Sequence, residues 1–91
     1  GNADLEAEVL RLFLKQSRDC LDRLSVEPDA RVAHLLLGSA RGIGARAVAE
    51  AASALEAVLL RGGDGRAELA RLREAVAAAT AFIEVRLGGR G

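Results

Sequence analysis

Aromatic residues are nearly missing from this sequence: Phe13 and Phe82 are the only two among 91 residues. Sheets are built from β-branched and aromatic side chains, and the apolar half of this chain is chiefly alanine, leucine and valine, which fill the narrow spaces between helices. Proline is as scarce. Pro28 stands alone, and the glycines gather in short clusters, so long stretches carry nothing that interrupts a helix. The single cysteine, Cys20, cannot close a disulfide within the chain. Lying among apolar residues, its free thiol is expected to behave as a small hydrophobe, and a reducing cytoplasm is the expected compartment. Neither sign of charge is in excess: 13 acidic and 13 basic residues give a formal net charge of zero. No whole-chain field therefore draws the protein to nucleic acid or to an anionic membrane. No apolar run approaches the roughly 20 residues that span a bilayer, and no basic-then-apolar leader opens the sequence.

What is present is helical periodicity. Leu5, Val9, Leu12, Phe13, Cys20, Leu21 and Leu24 recur at helical spacing, with acids (Asp4, Glu6, Glu8) in the first turn and Arg18 and Arg23 towards the end. The pattern predicts a first helix over about 4–24. Pro28, with its fixed φ, suits the first turn of a second helix, over about 28–41, which ends at the Arg41-Gly42-Ile43-Gly44 break where a glycine can turn left-handed. Val48, Ala52, Leu55 and Leu59 mark a third helix over about 44–61, stopped by Gly62-Gly63. Asp64 can cap a fourth over about 64–87, with Leu69, Leu72, Val76, Ala79, Phe82 and Ile83 facing inward and Gly88-Gly89 ending it. Short connections between long amphipathic helices force antiparallel neighbours. The expected architecture is an all-α, up-down-up-down four-helix bundle, one domain spanning the 91 residues.

The chain has one histidine, and the helical wheel places it. With His34 at zero and about 100° per residue, Val32, Ala33, Leu36 and Ala40 fall roughly 160–260° away, while Arg31, Gly38 and Arg41 fall within about 60°. His34 is thus expected on the surface, flanked by two arginines. A glycine inside a helix costs about 1 kcal/mol against alanine. Gly38 is too early to end the helix, because Ser39 to Arg41 continue the pattern. Such a glycine one turn above an exposed histidine points to something that must approach closely there. Other chemistries lack their parts. The glycines from Gly38 to Gly44 follow no strand and lack the lysine-serine/threonine ending of a P-loop. One histidine and one cysteine on different helices supply no metal site. Ser39 lies well round the helix from His34, which argues against a serine nucleophile.

The run His34-Leu35-Leu36-Leu37-Gly38-Ser39-Ala40-Arg41-Gly42-Ile43-Gly44-Ala45 resembles the signature of histidine-phosphotransfer domains. In words, that signature is His-x-Leu-Lys-Gly-Ser-Ala, a short spacer, then Gly-Ala. The Leu55-Glu56 pair, and a helix bearing Phe13 ahead of the motif, are similar to that family as well. The resemblance implies a four-helix bundle, which the periodicity reaches independently. It implies that His34 is the phosphoacceptor, a role that suits a neutral imidazole, nucleophilic through one nitrogen while the other is held. It further implies that Glu56 holds that second nitrogen. The implied partners are a response-regulator receiver domain and a histidine or hybrid kinase. No cofactor belongs to the chain itself, the magnesium being the receiver's. The sequence departs from the family at Leu37, where a lysine would neutralise phosphoryl charge. Arg31 and Arg41 are then the candidates to supply it. Arg31, Leu37, Gly38 and Arg41 form the expected phosphoryl- and partner-binding set.

The resulting expectation is a monomeric phosphorelay intermediate without kinase or ATPase activity of its own. Two alternatives stand beside it. One is a degenerate module that docks receivers without carrying phosphate, for which Leu37 is the argument. The other is the dimerising helical domain of a histidine kinase, which needs two chains to complete its bundle.

Overall fold

Three short breaks divide residues 2–88, the part of the chain described by the computed structural model, into four α-helices and no strand: α1 (Asn2–Val26), α2 (Ala30–Ile43), α3 (Arg46–Leu60) and α4 (Arg66–Gly88). Helices α2, α3 and α4 each begin two residues later than the periodicity predicts; side-chain capping supplies the reason at α2, whereas Ala45 ahead of α3 makes no side-chain cap. Asp29, at φ −138° and ψ 113°, is the N-cap of α2, and its carboxylate accepts the Arg31 backbone N–H at 2.9 Å. Pro28 therefore stands outside the first turn that it was expected to open. An aspartate there satisfies an otherwise orphaned donor, worth about 1 kcal/mol, and proline offers no such acceptor. Ahead of α4, Asp64 accepts the Arg66 N–H in the same way at 3.0 Å.

The C-terminal end of α2 is set by Gly44, which takes the left-handed conformation at φ 78°. The Ala45 N–H then closes back on the Ala40 carbonyl at 2.8 Å, a Schellman-type ending that leaves only two residues before α3. The α3–α4 connection is tied to the core. Gly65, at φ 70°, is buried, and a Cβ there would stand 2.6 Å from Leu55 Cδ1. Helix α4 runs through Gly88; Gly89 and the residues after it lie outside the described part of the chain.

Each helix packs against its neighbours in sequence, and α1 closes the ring against α4. The most extensive contact is between α2 and α3, and both helices bury small residues: Ala33 and Ala40 in α2, Ala51 and Ala52 in α3. Leu36, Leu55 and Leu72 are the largest wholly buried side chains at the centre. Cys20 joins this core at 1% exposure, and burial pushes its thiol pKa up. Ser17, the only buried polar residue among those described, donates its hydroxyl to the Phe13 carbonyl at 2.8 Å. Phe82 corrects the predicted inward stripe, for it is 69% exposed. Ile83 takes the inward position, and its neighbour is rotated by about 100° and faces outward. Leu5, Val9 and Leu12 of α1 are likewise exposed.

Candidate functional site

The face of α2 that turns away from the core is decided by its own sequence. Val32, Ala33, Leu36 and Ala40 are buried, so His34, Leu35 and Gly38 between them are driven outward. Of these, His34 has 69% of its side chain exposed. The two-residue turn folds α3 back antiparallel and brings Glu56, 22 residues on, beside the ring. Its Oε2 lies 2.9 Å from His34 Nδ1, and its side chain is only 22% exposed. An ionised carboxylate can only accept, so this bond places the imidazole proton on Nδ1. The Nε2 lone pair is left uncommitted, and any positive charge on the ring would lie next to an anion.

Gly38 lies one turn on. A Cβ added there would meet no atom within 4 Å, so the fold itself does not require the glycine. What its missing side chain provides is open space beside His34. The two arginines differ. Arg31 is held by the capping Asp29, with Nε 3.2 Å from Oδ1 and Nη2 3.2 Å from Oδ2. These hydrogen bonds hold the Asp29 carboxyl below the usual carboxylate range and push Arg31 further up. Arg41 is exposed, and among the described residues no carboxylate lies within ion-pairing distance of it.

Leu37 requires a correction. The sequence places it in the phosphoryl-binding set, yet it is only 4% exposed and belongs to the hydrophobic core. It sits about 60° round the helix from His34, on the side covered by α3. There it forms the floor of a groove whose banks carry Arg41 and Arg46. On the opposite side of His34 lies a surface that periodicity does not pick out. Leu35 is 46% exposed, and a groove between α1 and α2 is lined by Val9, Leu12, Lys15, Gln16 and Ser39. The Ser39 hydroxyl donates to Gln16 Oε1 and ties the two helices together there. The signal in the sequence is a rotation: Leu5, Val9 and Leu12 lie roughly 40–100° round α1 from the Phe13, Cys20 and Leu24 stripe. Among the described residues, no three His, Cys, Asp or Glu side chains gather closely enough to hold a metal ion.

A histidine held by a carboxylate, with a bare glycine beside it, is thus on the surface of a four-helix bundle. The sequence matches the Hpt domain family over residues 8–84, a span that takes in His34, Gly38 and Glu56. The chain is a member of the Hpt domain family. No curated protein and no solved structure gives a significant match. Hpt domains serve histidine phosphotransfer in phosphorelays, where they interact with receiver domains and kinases, and that general role extends to this chain. In this Hpt domain, four helices of a single chain complete the bundle. No helix among the described residues is long and apolar enough to cross a membrane.

Proposed function

We propose that this Hpt domain carries a phosphoryl group on His34 Nε2 and exchanges it with the aspartate of a receiver domain. The observation that carries the reading is the 2.9 Å contact between His34 Nδ1 and Glu56 on an otherwise open face. In the forward step, the Nε2 lone pair attacks the phosphorus of an aspartyl phosphate. The P–O bond to the aspartate breaks, and the carboxylate leaves with the bonding pair. Nδ1 keeps its proton throughout, and Glu56 balances the positive charge that the ring acquires. The reverse step returns the group to a receiver aspartate.

The remaining machinery belongs to the partner. Magnesium sits in the acidic pocket of the receiver, and a histidine kinase or hybrid kinase supplies the phosphate at the start of the chain. Gly38 lets the receiver close on His34, and Leu35 with the α1–α2 groove supplies apolar surface for docking. The domain works as a monomer in the cytoplasm, where Cys20 stays a thiol. The test is transfer from a receiver carrying labelled phosphate. Label should pass to this chain as an acid-labile, base-stable adduct and disappear in His34→Gln. A chain that binds the phosphorylated receiver but gains no label is a docking module, and the proposal fails.

A further inference from the structure

Whatever phosphoryl group sits on His34 carries close to two negative charges beside Glu56, and a cation on the same face would balance them. Leu37 cannot serve, being an apolar side chain in the core. Arg31 is one turn away, but its charge is cancelled by the Asp29 carboxylate that grips it through two nitrogens. Arg41 remains. It stands about 20° from His34 round the wheel, two turns towards the C-terminus of α2. Helix side chains tilt towards the N-terminus, so the Arg41 stem is directed back along the helix, and the space beside Gly38 is open for its guanidinium to swing into.

Arg41 also lines the α2–α3 groove, which runs from Gly44 at the turn to Ala57, the neighbour of Glu56. The charged groups along it are Arg41 and Arg46 against a single acid, Glu50, and neither arginine is ion-paired among the described residues. The Cα atoms of His34 and Arg41 are about 10 Å apart along the axis of α2 at about 1.5 Å per residue. A swing of the guanidinium across Gly38 shortens that distance and brings its charge within the roughly 8–10 Å over which exposed charges act at moderate salt. We infer that Arg41 is the cation that faces the phosphoryl group in this domain, acting through space along the groove above Leu37. This rests on His34 being the phosphoacceptor.

The test loads the intact chain with phosphoramidate, a small donor that needs no partner protein. His34 Nε2 displaces ammonia, the P–N bond breaking with its electrons going to the departing nitrogen. The ³¹P resonance of the phosphohistidine is then titrated in wild type and in Arg41→Lys, Arg41→Gln and Arg41→Glu. A nearby cation favours the dianion and lowers the phosphoryl titration midpoint. Lysine should therefore match wild type, and glutamine should raise the midpoint by about 0.2–0.7 of a pH unit. Glutamate should raise it by about twice as much. The differences should collapse at 1 M salt, where screening acts within about 3 Å. Phosphohistidine present in all four proteins with one common midpoint overturns the role of Arg41 and leaves phosphotransfer standing. No phosphohistidine signal in wild type overturns both.

Discussion

Replacing Glu56 with alanine isolates the contact on which the mechanism turns. The carboxylate lies 2.9 Å from His34 Nδ1, its side chain largely covered and the ring mostly exposed. A hydrogen bond to a charged group is worth about 1.5–3 kcal/mol when shielded, whereas an exposed pair gives about 0.2–1 kcal/mol. With one partner covered and the other in water, about 1 kcal/mol is the reasonable figure for this pair. If that energy is realised as charge grows on the ring, Glu56→Ala slows phosphorylation about fivefold. Glu56→Gln, which can still accept the Nδ1–H but carries no charge, should fall between the two. The rate is read by ³¹P NMR with phosphoramidate as donor, and the tautomer by long-range ¹H–¹⁵N correlation of the imidazole. The thermal midpoint should hardly move, because alanine is the better helix former and no core packing is lost. Equal rates and an unchanged tautomer in Glu56→Ala would refute the reasoning and leave His34 without an orienting partner.

Three further outcomes follow from the same geometry. His34→Gln should abolish acceptance of phosphate and leave the thermal midpoint within about 2–3 °C, since an exposed side chain contributes little packing; substantial unfolding would place His34 in the core. Gly38→Gln should stabilise α2 by about 0.5–1 kcal/mol, a rise of about 3–5 °C in midpoint. It should at the same time slow transfer from a receiver more than loading from phosphoramidate, and equal effects on both donors would show that the glycine is not there to admit a protein. Leu37→Lys should cost about 1–3 kcal/mol in a denaturant titration, because the burial of a leucine is lost and the lysine stem recovers only part of it. Wild-type stability in that variant would show that Leu37 is not a core residue.

The number of helices and the outward face of α2 are legible in the sequence because both depend on local rules. A 3.6-residue period sorts Val32, Ala33, Leu36 and Ala40 from His34 before any tertiary structure is known. Starting positions are less legible: Asp64 can be read as a cap from the sequence, but the cap at Asp29 depends on a side chain folding back onto a nearby backbone amide. Phe82 and Ile83 compete for one inward position, and composition alone favours the phenylalanine, while the geometry of α4 buries the isoleucine. Leu37 shows a different limit. Read against the resemblance it is a missing cation, whereas in the fold it is an added piece of core, because the wheel position lies at the edge that α3 covers. The juxtaposition of His34 and Glu56 depends on the register between α2 and α3, which no periodicity within either helix specifies. The pairing of Arg31 with Asp29 is local, but it is visible only once the cap is known to be Asp29.

The turn at Gly44 has a kinetic consequence. It joins the two helices that share the most extensive interface, and both members of the candidate site lie within that hairpin. Closing so short a connection carries little chain entropy, so contacts between α2 and α3 form early and at low contact order. Docking of α1 and α4 adds the outer half of the core afterwards. Local opening in a folded helical protein proceeds from such outer elements, the hairpin being the last to give way. The groups that would handle the phosphate thus belong to the part of the molecule that assembles first and outlasts partial unfolding of its surroundings.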